Sequence, residues 1–181
     1  MSESQAKPKV ATVWLDGCSG CHMSFLDIDE RIIELASLVD IVHSPVVDPK
    51  DFPHDVVVTL VEGAVSSEHD LHLAHIIRER SKLVVSLGDC AVTSNVPAMR
   101  NCYADTVLLD RAYVENAAVN QGHPSEYVPP LCTKARPLHE VIDVDLFLPG
   151  CPPPADAIHF AITEVLAGRM PDPTSLTRFG M

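Results

Sequence analysis

Five short apolar runs, separated by helical patterns and closed by loops of glycine, proline or cysteine, constrain this chain more than any other feature. They are Val10–Leu15, Val39–His43, Asp55–Val61, Lys82–Leu87 and Val144–Leu148. Continuous β-branched runs of this length read as strands covered on both faces. After the first, Leu26, Ile28, Ile32, Ile33, Leu35 and Leu38 recur at helical spacing with acids between them, which predicts one helix from near Met23. Ser66 or Ser67 can cap the next helix. Glu68 and Asp70 lie in its first turn and Arg78 and Arg80 in its last, which suits the helix dipole. A last helix is expected from about Ala155 to Ala167, led in by prolines and stopped at Gly168. Strands alternating with helices imply a parallel sheet with helices on both faces. The expected fold class is therefore α/β, a flavodoxin-like doubly wound parallel sheet.

The 181 residues suit one domain. Residues 1–8 are expected to be a flexible lead and 9–170 a single domain. An irregular insert spans about 92–142, apart from a short helix near Pro97–Asn101, and 171–181 form a loosely ordered tail. No internal repeat is present. The formal net charge is −12 and no lysine or arginine cluster occurs. Nucleic-acid binding is disfavoured on that ground, because phosphate neutralisation needs grouped cations. No apolar run approaches the roughly 20 residues that span a membrane. The first nine residues carry no apolar export signal, so a cytoplasmic protein is expected. In that compartment six cysteines are metal ligands or free thiols rather than disulfides.

Cys18-Ser-Gly-Cys21-His22 follows the first strand and admits four readings: a redox disulfide, half of a zinc site, two cluster ligands, or a haem attachment site. In a doubly wound sheet every strand-to-helix loop reaches the same edge, at the carboxyl ends of the strands. Cys18 and Cys21 follow strand one, Cys90 strand four and Cys151 strand five, while Glu62 closes strand three. Four thiols thus converge from three loops. Four thiolates suit zinc or a [4Fe–4S] cluster. Structural zinc usually pairs two Cys-x-x-Cys knuckles and this chain has one, so the cluster is the reading and zinc the alternative. Haem attachment needs export. Thioredoxin chemistry leaves Cys90 and Cys151 idle, and a flavin needs a Ser/Thr/Gly phosphate loop where the cysteines stand.

Val13-Trp-Leu-Asp-Gly-Cys18-Ser-Gly-Cys21-His-Met-Ser24, Glu62-Gly63, Gly88-Asp-Cys90 and Asp145-Leu-Phe-Leu-Pro-Gly-Cys151-Pro-Pro resemble the small subunit of [NiFe]-hydrogenases. The resemblance covers most of 10–168 and is greatest to the cytoplasmic, NAD-reducing (bidirectional) type. A more distant likeness is to the cluster-carrying subunit of respiratory complex I, which has adjacent cysteines where this chain has Cys18-x-x-Cys21. The resemblance implies that Cys18, Cys21, Cys90 and Cys151 hold one proximal [4Fe–4S] cluster. It implies a Ni–Fe centre in a separate large subunit, and FMN and NAD in a diaphorase module that takes the electrons. Deazaflavin- or heterodisulfide-reductase-linked hydrogenases are the neighbouring alternatives. A stand-alone iron–sulfur or zinc protein is the alternative from another class.

Other residues carry expectations of their own. Glu62 could relay protons or could only bond backbone near the cluster. His22 is expected to pack. His69, His72 and His75 drift around a helix at i, i+3, i+6 and are expected to be solvated. Cys102 and Cys132 lie in the insert and are expected to be spectators.

Overall fold

The computed structural model describes residues 6–180. Residues 1–5, most of the expected lead, lie outside that range. A five-stranded parallel sheet is built from β1 (Lys9–Trp14), β2 (Asp40–His43), β3 (Val56–Glu62), β5 (Ser81–Leu87) and β7 (Leu146–Leu148). Their order is β2-β1-β3-β5-β7. Counting only these five, the order is 2-1-3-4-5, that of flavodoxin-like folds, with the switch point between β1 and β3. The register is regular there, pairing Val10 with Val58 and Trp14 with Glu62.

Successive strand residues point to opposite faces, so each strand feeds two apolar layers. Val10, Leu60, Leu87 and Leu148 pack under α1 (Gly20–Leu26), α2 (Arg31–Leu38) and α6 (Ala155–Leu166), against Phe25, Leu35, Ile158 and Ile162. Ala11, Val13, Val61 and Val84 meet Ala74 and Ile77 of α3 (Glu68–Arg80), with Phe52, Leu138 and Ile142. Leu60, Leu148, Ile77 and Ile158 are fully buried, each worth about 1.5–3 kcal/mol in transfer terms. An ion pair between Arg31 and Asp156 joins α2 to α6.

The expected cap of α3 is Ser67. Its hydroxyl accepts from the Asp70 N–H at 3.1 Å, and Asp70 accepts in return from the Ser67 N–H at 2.9 Å. At the other end Arg78 donates to the Ser81 and Lys82 carbonyls.

Three expectations are corrected. The single helix from Met23 is two, because Asp29 turns left-handed at φ +56° and breaks the run between α1 and α2. The acids at 27, 29 and 30 sit in that turn and on its flanks. The insert is partly regular. It holds a 3₁₀ turn (Pro97–Cys102), α5 (Asp105–Asp110) and β6 (Leu131–Arg136), and α4 (Gly88–Thr93) runs into its start. β6 pairs antiparallel with β4 (Val65–Ser67). Strand β4 is hidden in the sequence because three residues that end in a helix cap carry no periodicity. Finally, residues 171–180 are packed rather than loose: Pro171, Pro173 and Thr177 are buried, and the Thr177 hydroxyl donates to the Pro149 carbonyl.

Candidate metal centre

At the carboxyl edge of the sheet, the ends of β1 and β3 are joined by backbone. The Leu15 N–H donates to the Glu62 carbonyl, and Asp16 and Ala64 exchange two bonds. Gly63, at φ +94°, allows this. A Cβ there would lie 2.8 Å from the Leu15 and Asp16 carbonyl carbons. The Asp16–Gly17–Cys18 loop is therefore held beside Glu62 before any side chain acts.

The four thiols predicted to converge are all free, and all are at this edge. Cys18 is exposed just before α1 and Cys21 is buried in its first turn. Cys90 is half-buried in α4, and Cys151 is exposed after β7. Burial pushes the Cys21 thiol far up. The nearby charges of Glu62, Cys90, Cys18 and Cys151 push it further. The Cys90 thiol is raised to about 11, by burial first and then by Cys151, Cys18 and Glu62, with the Val96 N–H acting the other way. Cys21 and Cys90, both held neutral in this way, need a positive group beside them to become thiolates together.

Glycine makes the room. A Cβ on Gly88 (φ +81°) would lie 2.2 Å from the Cys21 sulfur, and one on Gly20 would lie 3.3 Å from that of Cys18. Among the described residues no three His, Cys, Asp or Glu side chains are spaced to share one metal ion. The donor set, four cysteine sulfurs with glycine beside two of them, suits zinc or an iron–sulfur group.

Glu62 is 1% exposed. Its Oε2 accepts from the His22 backbone N–H at 2.9 Å and lies 2.5 Å from His22 Nδ1. The sequence offered Glu62 and His22 separately; the fold makes them one pair. His22 Nε2 is buried with no hydrogen-bond partner. His69, His72 and His75 are exposed on α3, as expected. Cys102 is exposed, and Cys132 lies on β6 near Arg136, Asp70, Arg100 and Glu68, not beside the four thiols.

Three residues of the site were missed in the sequence. Asp89, 2% exposed, accepts from the Gly150 N–H at 2.7 Å and from the Gly180 N–H at 2.8 Å. Ser24 in α1 donates to the Pro153 carbonyl at 2.5 Å. Asn95 points its amide at the Cys151 sulfur, 4.0 Å away. The partners of Asp89 and Ser24 are backbone atoms far along the chain, which leave no residue signature. The Gly-Asp-Cys tripeptide at 88–90 was the only available hint.

The fold defines a class, the flavodoxin-like doubly wound α/β domains, here with four cysteines just past three of the parallel strands. Residues 18–165 match the family model described as NADH ubiquinone oxidoreductase, 20 Kd subunit, and the chain belongs to that family. The chain is 40% identical to the NAD-reducing hydrogenase HoxS subunit delta of Cupriavidus necator, over 97% of this chain and 87% of that one. It is 42% identical to a subunit of the vhu F420-non-reducing hydrogenase of Methanocaldococcus jannaschii, over 90% of this chain but 57% of the relative. The chain thus spans little more than half the length of that relative. Among solved structures, a chain of an NAD+-reducing [NiFe]-hydrogenase in the H2-reduced state superposes with a TM-score of 0.91 at 35% identity. That match covers 96% of this chain and 99% of the other. Among the described residues no helix is long and apolar enough to cross a membrane.

Proposed function

We propose that this chain is the electron-transfer subunit of a cytoplasmic, NAD-reducing [NiFe]-hydrogenase, carrying one proximal [4Fe–4S] cluster. The observation that carries the reading is the arrival of four free thiols from three loops at one sheet edge. The likeness to the NAD-reducing relatives, along nearly the whole of this chain, supports it. Cys18, Cys21, Cys90 and Cys151 would hold the group, with Gly20 and Gly88 leaving space beside two of the sulfurs. When bound, such a cluster supplies a site that takes up and gives up single electrons. The Val96 N–H and the Asn95 amide reach the sulfurs of Cys90 and Cys151. Donors to sulfur favour the reduced, more negative state.

Glu62 and His22 are the proton-handling pair of this reading. The carboxyl is buried beside the Cys18 loop, and His22 Nδ1 can share a proton with Glu62 Oε2. The same oxygen also bonds backbone, so relay and anchoring are combined in one group. Hydrogen would be split at the Ni–Fe centre of a large subunit, and a diaphorase with FMN and NAD would be the other electron partner. The F420-non-reducing relatives make another acceptor the second reading.

The test is iron and sulfide analysis with EPR on anaerobically purified protein, before and after dithionite. About four irons and four sulfides with a reduced cubane signal are expected. Zinc without sulfide would overturn the electron-transfer role. H2-dependent NAD+ reduction by the assembled complex then separates the NAD-linked acceptor from the alternative.

A further inference from the structure

Asp89 is a buried carboxylate whose described hydrogen-bond partners are all backbone. Its Oδ1 accepts from the Gly150 N–H at 2.7 Å and its Oδ2 from the Gly180 N–H at 2.8 Å. Its own N–H donates to the Gly150 carbonyl at 2.9 Å. Gly150 is thus bonded through both its N–H and its carbonyl to the residue that precedes Cys90, and it itself precedes Cys151. The conformation at Gly150 is a demanding one. It lies at φ +137°, and a Cβ would come within 2.6 Å of Pro153 Cα. A loop bent so tightly holds its place only if its polar groups are satisfied. The C-terminal segment meets the same point, because Thr177 bonds the Pro149 carbonyl and Gly180 bonds Asp89.

We propose that Asp89 is a positioning residue, which sets the spacing of the Cys90 and Cys151 loops and couples both to the C-terminal segment at 177–180. It touches no reacting atom and is not a ligand. Its two oxygens need two donors in fixed places, and only the folded tail brings the second. An amide side chain would satisfy one N–H and turn its own NH2 against the other. The inference rests on the cluster reading only for its spectroscopic consequence. The clamp itself is a property of the polypeptide.

The test compares the full chain, Asp89→Asn, and a truncation lacking residues 178–181, by amide hydrogen exchange and by EPR of the purified protein. In Asp89→Asn the Gly150 amide is expected to exchange about tenfold faster or more. The cluster's g-values or midpoint potential are expected to shift while iron content stays within the same range. In the truncation, Gly150 exchange is expected to rise by a smaller factor, about threefold. Combining the two changes should then cost less than their separate effects added, because the amide no longer faces the Gly180 N–H. Unchanged Gly150 exchange and an unchanged cluster signal in Asp89→Asn would overturn the proposal. Should that variant fail to fold, the truncation decides: Gly150 exchange equal to that of the full chain would overturn it. A full-length chain with no iron or sulfide refutes the cluster reading instead, and the exchange measurements still judge the clamp.

Discussion

The thiol-bearing edge and residues 94–130 of the insert are both mostly loop, yet they are ordered in different ways. At the edge, each loop is short and is fastened by buried polar groups: Glu62 to His22, Ser24 to Pro153, Asp89 to Gly150. The insert is tied to the rest of the domain near its ends, while its middle is bonded to itself through Asp110 with His123 and the Gly122 N–H with the Tyr113 carbonyl. Arg100 bonds Asp105 and the Ser66 and Cys132 carbonyls, and Asn101 exchanges two bonds with Ala135. Between those anchors residues 118–131 are all exposed, and an apolar cavity of about 590 Å³ opens beside Leu108, Tyr113 and Val128. Irregular backbone is thus held in place where its polar groups end on buried side chains. It is there, and not in the longer loop, that the candidate ligands lie.

The largest effect is expected from Cys90→Ala. Iron content should fall or the cluster convert, and H2-driven NAD+ reduction in the complex should stop. Full activity with a normal EPR signal would put the ligands elsewhere. Glu62→Gln should leave the cluster signal in place but slow H2 turnover about 100-fold, as loss of a proton-transfer group does. An unchanged rate would leave Glu62 as an anchor only.

Gly88→Ala places a Cβ against a buried sulfur in left-handed backbone, at 2.2 Å and φ +81°. Urea melts should show a loss of about 2–4 kcal/mol. A milder effect comes with pH. The Cys90 thiol ionises at 9.0 when unperturbed and at about 11 in the fold. The folded state therefore favours the neutral thiol. That contribution is complete below pH 9 and is lost as pH rises to about 11. Thermal melts of the metal-free chain should fall across that window. A loaded chain, its sulfurs already thiolate, should fall less.

The smallest effect belongs to the insert. Val119→Ser with Tyr127→Ser replaces side chains 76% and 103% exposed, and stability should change by about 0.5 kcal/mol or less. A changed cluster signal in that variant would show that the two regions are coupled after all.

Much of the frame was legible in the sequence. All five sheet strands, the Ser67 cap and the last helix stand within a residue or two of their expected ends, and the flavodoxin-like order follows. Each of these is written in neighbouring residues: an apolar run, a serine three before an acid, a proline before and a glycine after. The arrival of Cys18, Cys21, Cys90 and Cys151 at one edge followed from topology alone, since each stands just past a parallel strand. The break at Asp29 was not legible, because the apolar spacing continues through it and only the φ of one residue departs. The β4–β6 ribbon was hidden for a different reason: β4 is only three residues long, and its partner strand lies more than sixty residues further on.

What the tertiary structure alone decided is how the edge is held. His22 and Glu62 are 40 residues apart, Asp89 and Gly150 are 61 apart, Asp89 and Gly180 are 91 apart, and Ser24 and Pro153 are 129 apart. In all but the first, one partner is a main-chain group that every residue but proline shares in full, so no side chain announces it. The sequence by itself determined which thiols stand just past the parallel strands, at one edge. Only the packed fold, by bringing particular N–H and C=O groups within reach of a few buried side chains, determined the frame in which they meet.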